Sequence, residues 1–189
     1  MELWAYILCT AVCAPIWIWN GRCIAQGIKE HIISEVYMHV GIGIFFTLLT
    51  LELTVGNLGA WARLEILWLQ IIGWILYVPA IYLVAVSHKT LEHKGKPTSD
   101  RLATTKLIDT GIYGIIRQPM TLGMAIFSIA LILLGQSMVS IILGTSTLVC
   151  FWMSAKTETE YNMRKFGDKY KIYMKEVPMW NFCGRKTQT

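Results

Sequence analysis

Five apolar stretches separated by polar connectors organise the chain. They cover about 3–19, 36–55, 66–86, 119–134 and 138–155. The unbroken run at 66–86 has the usual length of a bilayer-crossing helix by itself, and the other four are inferred from the set. Because a helix satisfies its own backbone hydrogen bonds without water, this pattern predicts an all-α integral membrane protein with five transmembrane helices. We expect one membrane domain over 1–189.

The polar connectors predict two further features at one end of the bundle. The connector at 88–118 is too long for a linker between two packed helices and is predicted as a folded, functional loop. The connector at 135–137 is so short that the fourth and fifth helices must form a hairpin, which brings Pro119 beside 155–160. After the fifth helix, apolar residues at helical spacing predict an amphipathic C-terminal helix over 157–177.

Composition and charge agree with a membrane protein and set its orientation. Hydrophobic residues make up 54% of the chain, charged residues 15%, and the mean hydropathy is +0.49. If all five stretches cross the bilayer, 16 of the 17 Lys and Arg residues fall on one side, and only Arg63 falls on the other. This bias predicts an outside N-terminus and a cytoplasmic C-terminus. It accounts for the net charge of +5 without a nucleic-acid partner.

The cysteines give no sign of a metal site. They stand at positions 9, 13, 23, 150 and 183, without a Cys-x-x-Cys pair and without histidines at ligand spacing. We therefore expect no bound metal.

Two motifs carry most of the chemical information. The first reads Leu107-x-x-Thr110-Gly111-x-Tyr113-x-x-x-Arg117-x-Pro119-Met120. The second begins after Glu158 and reads Phe166-Gly167-x-x-Tyr170-x-x-Tyr173-x-x-x-Val177-Pro178. In this order they resemble the isoprenylcysteine carboxyl methyltransferase family of integral membrane enzymes, in a short form of prokaryotic or archaeal type. The wider group also contains phospholipid N-methyltransferases.

The resemblance implies S-adenosylmethionine as methyl donor and S-adenosylhomocysteine as product. It also implies that the connector at 88–118 is a cytoplasmic cofactor-binding loop and that the active site is cytoplasmic. The implied donor contacts are Thr105, Lys106, Leu107, Ile108, Tyr113, Gln118, Pro119, Met120, Thr121 and Glu158. Glu158 is expected to bind the donor's ammonium, and free amides at the start of the fourth helix its carboxylate. Tyr113 is expected to stack on adenine or to face the sulfonium. No catalytic residue is assigned, and Arg117 is equally interpretable as an ion-pair partner of Asp109 or Glu158.

Four positions depart from the family pattern. One of them is Thr159, which follows Glu158 where the family has paired glutamates, with Glu160 displaced by one. Gln118 replaces a histidine and Thr121 replaces a tyrosine, and both can still form hydrogen bonds. Ser154 stands where the eukaryotic enzymes carry an arginine that holds the substrate carboxylate. Lys156 is basic but belongs to another side of the same helix, so the sequence leaves the acceptor open.

The acceptor is expected to be lipophilic and to enter from the bilayer. We favour O-methylation of a prenylcysteine-type α-carboxylate, because a carboxylate is ionised at neutral pH and needs no general base. The first alternative is N-methylation of a phospholipid amine. Two others are a nicotinamide-dependent membrane reductase and a non-catalytic membrane scaffold or small transporter.

Overall fold

The computed structural model describes residues 3–95 and 105–180, and within these ranges the chain forms helices and no strand. The long helices are α1 (Leu3–Lys29), α2 (Ile33–Leu51), α3 (Leu67–Lys94), α4 (Pro119–Gly135) and α5 (Met138–Phe166), and a short α6 (Asp168–Glu176) follows. A π-helical turn, Glu52–Gly56, extends α2, and a 3₁₀ turn, Gly111–Gly114, precedes α4. The all-α prediction is thus confirmed for the described residues.

Four of these helices are long and apolar enough to cross a bilayer: α1, α2 with its π-helical extension, α3 and α5. The fourth predicted span, α4, is apolar but only 17 residues long, at the lower limit for crossing the hydrocarbon layer. The protein is therefore a helical membrane protein, in which α4 packs between two of the long helices.

The five long helices are arranged in a row with the order α1, α2, α5, α4, α3. The pairs that pack most extensively are α1 with α2, α2 with α5, α5 with α4, and α4 with α3. In agreement with this order, α1 and α3 at the two ends are the least buried of the long helices. Consequently the ends of the three central helices, α2, α5 and α4, lie side by side. A site at these ends is formed by all three helices.

Glycines allow the central helices to approach closely. A Cβ on Gly123 of α4 would lie 3.1 Å from the Ala80 carbonyl of α3 and 2.8 Å from a Val84 methyl. A Cβ on Gly41 of α2 would lie 2.9 Å from the Phe151 ring of α5. Small residues at such crossings let helix backbones approach closely. In a membrane this close packing is needed because the hydrophobic effect does not drive helices together.

Glu52, at the end of the bundle that carries the α4–α5 hairpin, is buried and paired. Its carboxylate forms an ion pair with Arg63 and accepts a 2.9 Å hydrogen bond from the Ser137 hydroxyl. Gln136 adopts a left-handed conformation (φ 47°), and its amide hydrogen-bonds to both backbone groups of Ile66 at 2.8 and 3.0 Å. These contacts fix the connector before α3 onto the hairpin.

The helix boundaries differ from the predicted ones at several points. α1 continues past 19, because the buried side chain of Asn20 bonds to the Ile16 carbonyl 2.8 Å away and to His39 instead of ending the helix. α5 continues through 155 to Phe166, since no helix-breaking residue intervenes. The break lies at Gly167, whose φ of +59° suits glycine, so the C-terminal helix begins at Asp168 and not at 157.

The predicted loop at 88–118 also differs in its first part. Residues 88–94 belong to α3, which ends at Lys94. Residues 96–104 of this loop lie outside the described residues. The part that begins at Thr105 is described and leads through the 3₁₀ turn into α4.

Candidate functional site

The start of α4 is covered by the chain that follows α6. The backbone amide of Arg117 donates to the Pro178 carbonyl at 2.9 Å, and that of Gln118 donates to the Met179 carbonyl at 3.2 Å. The Trp180 indole N–H donates to the Thr121 hydroxyl at 3.1 Å. Because the two amides before α4 are engaged in this way, they do not serve a ligand.

Fewer backbone amides at the start of α4 are therefore available to bind a carboxylate than the sequence predicts. Pro119, the first residue of α4, has no N–H, and the Leu122 amide already donates to the Gln118 carbonyl at 3.1 Å. The amides of Met120 and Thr121 lie between Pro119 and Leu122, and they are the two that can bind a ligand at this helix start.

Tyr113 points into the bundle. It is buried, its hydroxyl lies near the Ser87 hydroxyl of α3, and the negative charge of Glu158 acts on it. Burial, and after it the charge of Glu158, raises the pKa of Tyr113 above its ordinary value. The Tyr113 side chain is therefore uncharged and lies beside Glu158 in the interior, away from the protein surface.

Glu158 lies on α5 among polar groups from the neighbouring elements. The side-chain amides of Gln118 and Asn162 lie close enough to its carboxylate to stabilise the negative charge. Lys165 adds an attractive charge, whereas Glu35 at the start of α2 adds a repulsive one. Glu158 is half-buried, so the site is a partly desolvated carboxylate that attracts cations.

Arg117 does not form the ion pair proposed from the sequence. Within the described residues it pairs with neither Asp109 nor Glu158, and no group there accepts a hydrogen bond from its buried Nε. Its guanidinium carbon lies 6.0 Å from the centre of the Tyr170 ring, a cation–π contact.

The two tyrosines of the second motif pack α6 against the turn before α4. Tyr170 and Tyr173 are buried with their ring centres 5.7 Å apart. The Tyr173 hydroxyl donates to the Tyr113 carbonyl at 2.5 Å. Burial raises the pKa of both tyrosines. They are packing residues, as their helical spacing indicates.

Ser154 faces the interior and is engaged with α2. It is 1% exposed, and its hydroxyl donates to the Ser34 carbonyl at 2.8 Å. Lys156 lies on the exposed side of α5 with its ammonium 4.9 Å from the Trp152 ring centre. Neither residue replaces the missing arginine in this arrangement.

The ten predicted donor contacts fall into two groups. Thr105, Lys106 and Leu107 line an open cleft of about 880 Å³ between the loop and α6. Ile108, Tyr113, Gln118, Pro119 and Thr121 are buried, while Met120 and Glu158 are half-buried. The turn at 111–114 separates the groups, since Gly114 lines the cleft whereas Tyr113 faces Glu158.

Sequence reasoning missed three residues of the buried group. Asn162 lies one helical turn after Glu158, a spacing that was available in the sequence. Ser87 and Glu35 are recognised only once α3 and α2 are placed beside Tyr113 and Glu158. Among the described residues, no group of three His, Cys, Asp or Glu side chains is arranged to hold a metal ion.

Comparison with known proteins gives one match. A family model described as phospholipid methyltransferase matches residues 68–169, which run from the start of α3 into α6 and make up more than half of the chain. No curated protein and no solved structure matches.

Proposed function

The chain belongs to the phospholipid methyltransferase family, within the same group of membrane methyltransferases as the isoprenylcysteine enzymes, and we propose on that premise that it N-methylates a phospholipid amine. The sequence resemblance to this group is thereby confirmed. The observation that carries the proposal is the position of Glu158, an acid held at the junction of α5 and α4 with a second acid, Glu35, close by. An acidic site attracts a cationic headgroup and repels a carboxylate.

S-adenosylmethionine, when bound, supplies a methyl group activated by its positively charged sulfonium. The residues present fit this donor. The Glu158 carboxylate suits its ammonium, and the amides of Met120 and Thr121 suit its carboxylate. Thr105, Lys106 and Leu107 line a separate cleft on the other side of the turn at 111–114.

In this proposal the protein's residues bind and orient the donor and the acceptor, and they exclude water from the site. The bonds from the loop to Pro178 and Met179, together with the Trp180–Thr121 bond, hold the start of α4 fixed. Tyr113 lies between Glu158 and Ser87 of α3 and borders the proposed site on that side. Rate enhancement then comes mainly from positioning and from removal of water around the reacting groups.

We propose that all five long helices cross the bilayer, with the loop, α6 and the site on the cytoplasmic side. The bias of the Lys and Arg residues toward the loop end supports this orientation. Arg63, the cation at the other end, is paired with Glu52, which lowers the cost of placing it there.

A second candidate is carboxyl methylation of a prenylcysteine. The two sequence motifs, including Arg117 and Val177-Pro178, favour it, since they resemble the isoprenylcysteine enzymes. The engagement of Ser154 with α2 weighs against it, because no cation replaces the arginine at that position.

One experiment separates the two acceptors. The purified protein in detergent is given methyl-labelled S-adenosylmethionine and either phosphatidylethanolamine or a farnesylcysteine analogue. We expect label in the ethanolamine lipid. Label in the farnesylcysteine analogue alone establishes the carboxyl reaction, and label in neither contradicts methyl transfer to both classes.

A further inference from the structure

We propose that Trp180 is a positioning residue for the methyl donor. It acts through Thr121 on Gln118, and it thereby sets how tightly the protein holds the amino-acid end of S-adenosylmethionine. This inference rests on the proposed methyltransferase function. Trp180 lies outside the family match at 68–169, so the match itself assigns it no role.

The Trp180 side chain reaches the first turn of α4. Its indole N–H donates to the Thr121 hydroxyl oxygen, 3.1 Å away, and the Thr121 hydroxyl donates to the Gln118 carbonyl at 3.0 Å. An indole N–H can only donate, whereas a hydroxyl both accepts and donates. The Thr121 oxygen therefore accepts from Trp180 while its proton stays on the Gln118 carbonyl. The two bonds form one chain, and bonds linked in this way strengthen each other.

Gln118 is held on both sides of its backbone. Its N–H donates to the Met179 carbonyl at 3.2 Å, and its carbonyl also accepts from the Leu122 amide at 3.1 Å. Although Gln118 directly precedes α4, its side chain makes no hydrogen bond to the amides of the helix start. The residue is buried, and its side-chain amide lies beside the Glu158 carboxylate. The segment that ends at Trp180 thus fixes the backbone from which this amide reaches Glu158.

Both charged groups at the amino-acid end of the donor depend on this turn. The donor ammonium is expected at Glu158, which Gln118 supports by donating an amide N–H to the carboxylate. The donor carboxylate is expected at the amides of Met120 and Thr121, and Trp180 holds Thr121. Binding groups that are already in place lose less entropy when the ligand arrives. In this binding mode none of these contacts is made to the adenosine.

The test removes single groups from this chain of bonds. Trp180→Phe keeps an aromatic ring but loses the N–H. Thr121→Val keeps the branched shape but loses the hydroxyl, whereas Thr121→Ser keeps the hydroxyl. Trp68→Phe is the matched control, because Trp68 is 73% exposed at the start of α3.

Each variant is titrated in detergent with two ligands, and its melting temperature is recorded. S-adenosylhomocysteine carries the ammonium and the carboxylate, whereas methylthioadenosine keeps the adenosine and the sulfur but lacks both charged groups. Loss of one neutral hydrogen bond weakens binding about 5- to 10-fold. We expect this rise in the Kd of S-adenosylhomocysteine for Trp180→Phe and Thr121→Val, with an unchanged Kd of methylthioadenosine. Thr121→Ser and Trp68→Phe should bind both ligands as wild type does.

The double variant Trp180→Phe/Thr121→Val distinguishes action through Thr121 from general packing. Because the two residues share one chain of bonds, it should bind S-adenosylhomocysteine no more weakly than Thr121→Val does. Additive losses overturn the inference, and so does an equal loss for both ligands, which indicates a structural role. Wild-type affinity in Trp180→Phe overturns the inference alone. A native protein that binds no S-adenosylhomocysteine overturns the proposed function as well.

Discussion

Tyr173 donates a hydrogen bond of 2.5 Å from its hydroxyl to the backbone carbonyl of Tyr113. The bond joins α6 to the turn before α4, and both partners are buried. α6 has only nine residues, too few to be stable as an isolated helix. This contact and the ring packing with Tyr170 therefore hold α6 and the turn in place together.

Tyr173→Phe removes this hydrogen bond and leaves the Tyr113 carbonyl buried without it. We expect a loss of about 1–3 kcal/mol in the free energy of unfolding, the usual cost of an unsatisfied buried polar group. Donor affinity should fall as well, because the turn borders the buried part of the proposed site. Chemical unfolding in detergent and donor titration measure the two effects.

Tyr170→Phe is the matched control. The Tyr170 hydroxyl is buried near Thr159 and Asn162, but it makes no hydrogen bond of good geometry within the described part of the chain. Its removal should cost little stability. Equal losses in the two variants would show that ring packing, and not the Tyr173 bond, holds α6.

Gly123→Ala tests the close crossing of α3 and α4. The added methyl group would meet the Ala80 carbonyl and the Leu83 Cβ at 3.1 Å, so the helices must separate. We expect a loss of about 1–3 kcal/mol, as for other overpacked sites. Gly21→Ala in α1 is the control, since nothing lies within 4 Å of its Cβ. There alanine should be neutral or stabilising by up to about 1 kcal/mol. A tolerated Gly123→Ala would contradict the described crossing.

Glu52→Gln tests the ion pair at the hairpin end. It leaves the Arg63 guanidinium largely buried without its carboxylate partner. Breaking a buried pair from one side costs about 3–5 kcal/mol, and the partial exposure of Arg63 reduces this. We therefore expect a clear fall in melting temperature with an unchanged donor Kd, because the site is at the other end. Glu65→Gln, on an exposed residue of the same connector, serves as control. Equal stability of the two variants would show that the Glu52–Arg63 pair contributes nothing.

The number and order of the helices follow from local patterns in the sequence. Pro119 opens α4 as expected, and the short connector at 135–137 forms the predicted hairpin. Helix ends were less predictable because they depend on distant partners. The first stretch was predicted to end at about 19, yet the Asn20 side-chain oxygen bonds to the His39 ring nitrogen of α2, 2.9 Å away, and α1 continues.

The candidate site shows the same division between local and distant information. Gln118 and Glu158 were named from the motifs, and the hairpin brings them together. The role of Ser154 in binding α2 could not be predicted, since its partner Ser34 is 120 residues away in sequence. Glu35 was missed for that reason, because only the pairing of α2 with α5 places it beside Glu158.

Binding of labelled S-adenosylmethionine to Glu158→Gln tests the central claim most directly. Loss of a charge-assisted hydrogen bond of about 2 kcal/mol weakens binding about 30-fold, and this is the change that we expect in the donor Kd. Glu160→Gln, on an exposed residue of the same helix, should bind as the native protein does. An unchanged Kd for Glu158→Gln, or no saturable binding to the folded native protein, would contradict the account.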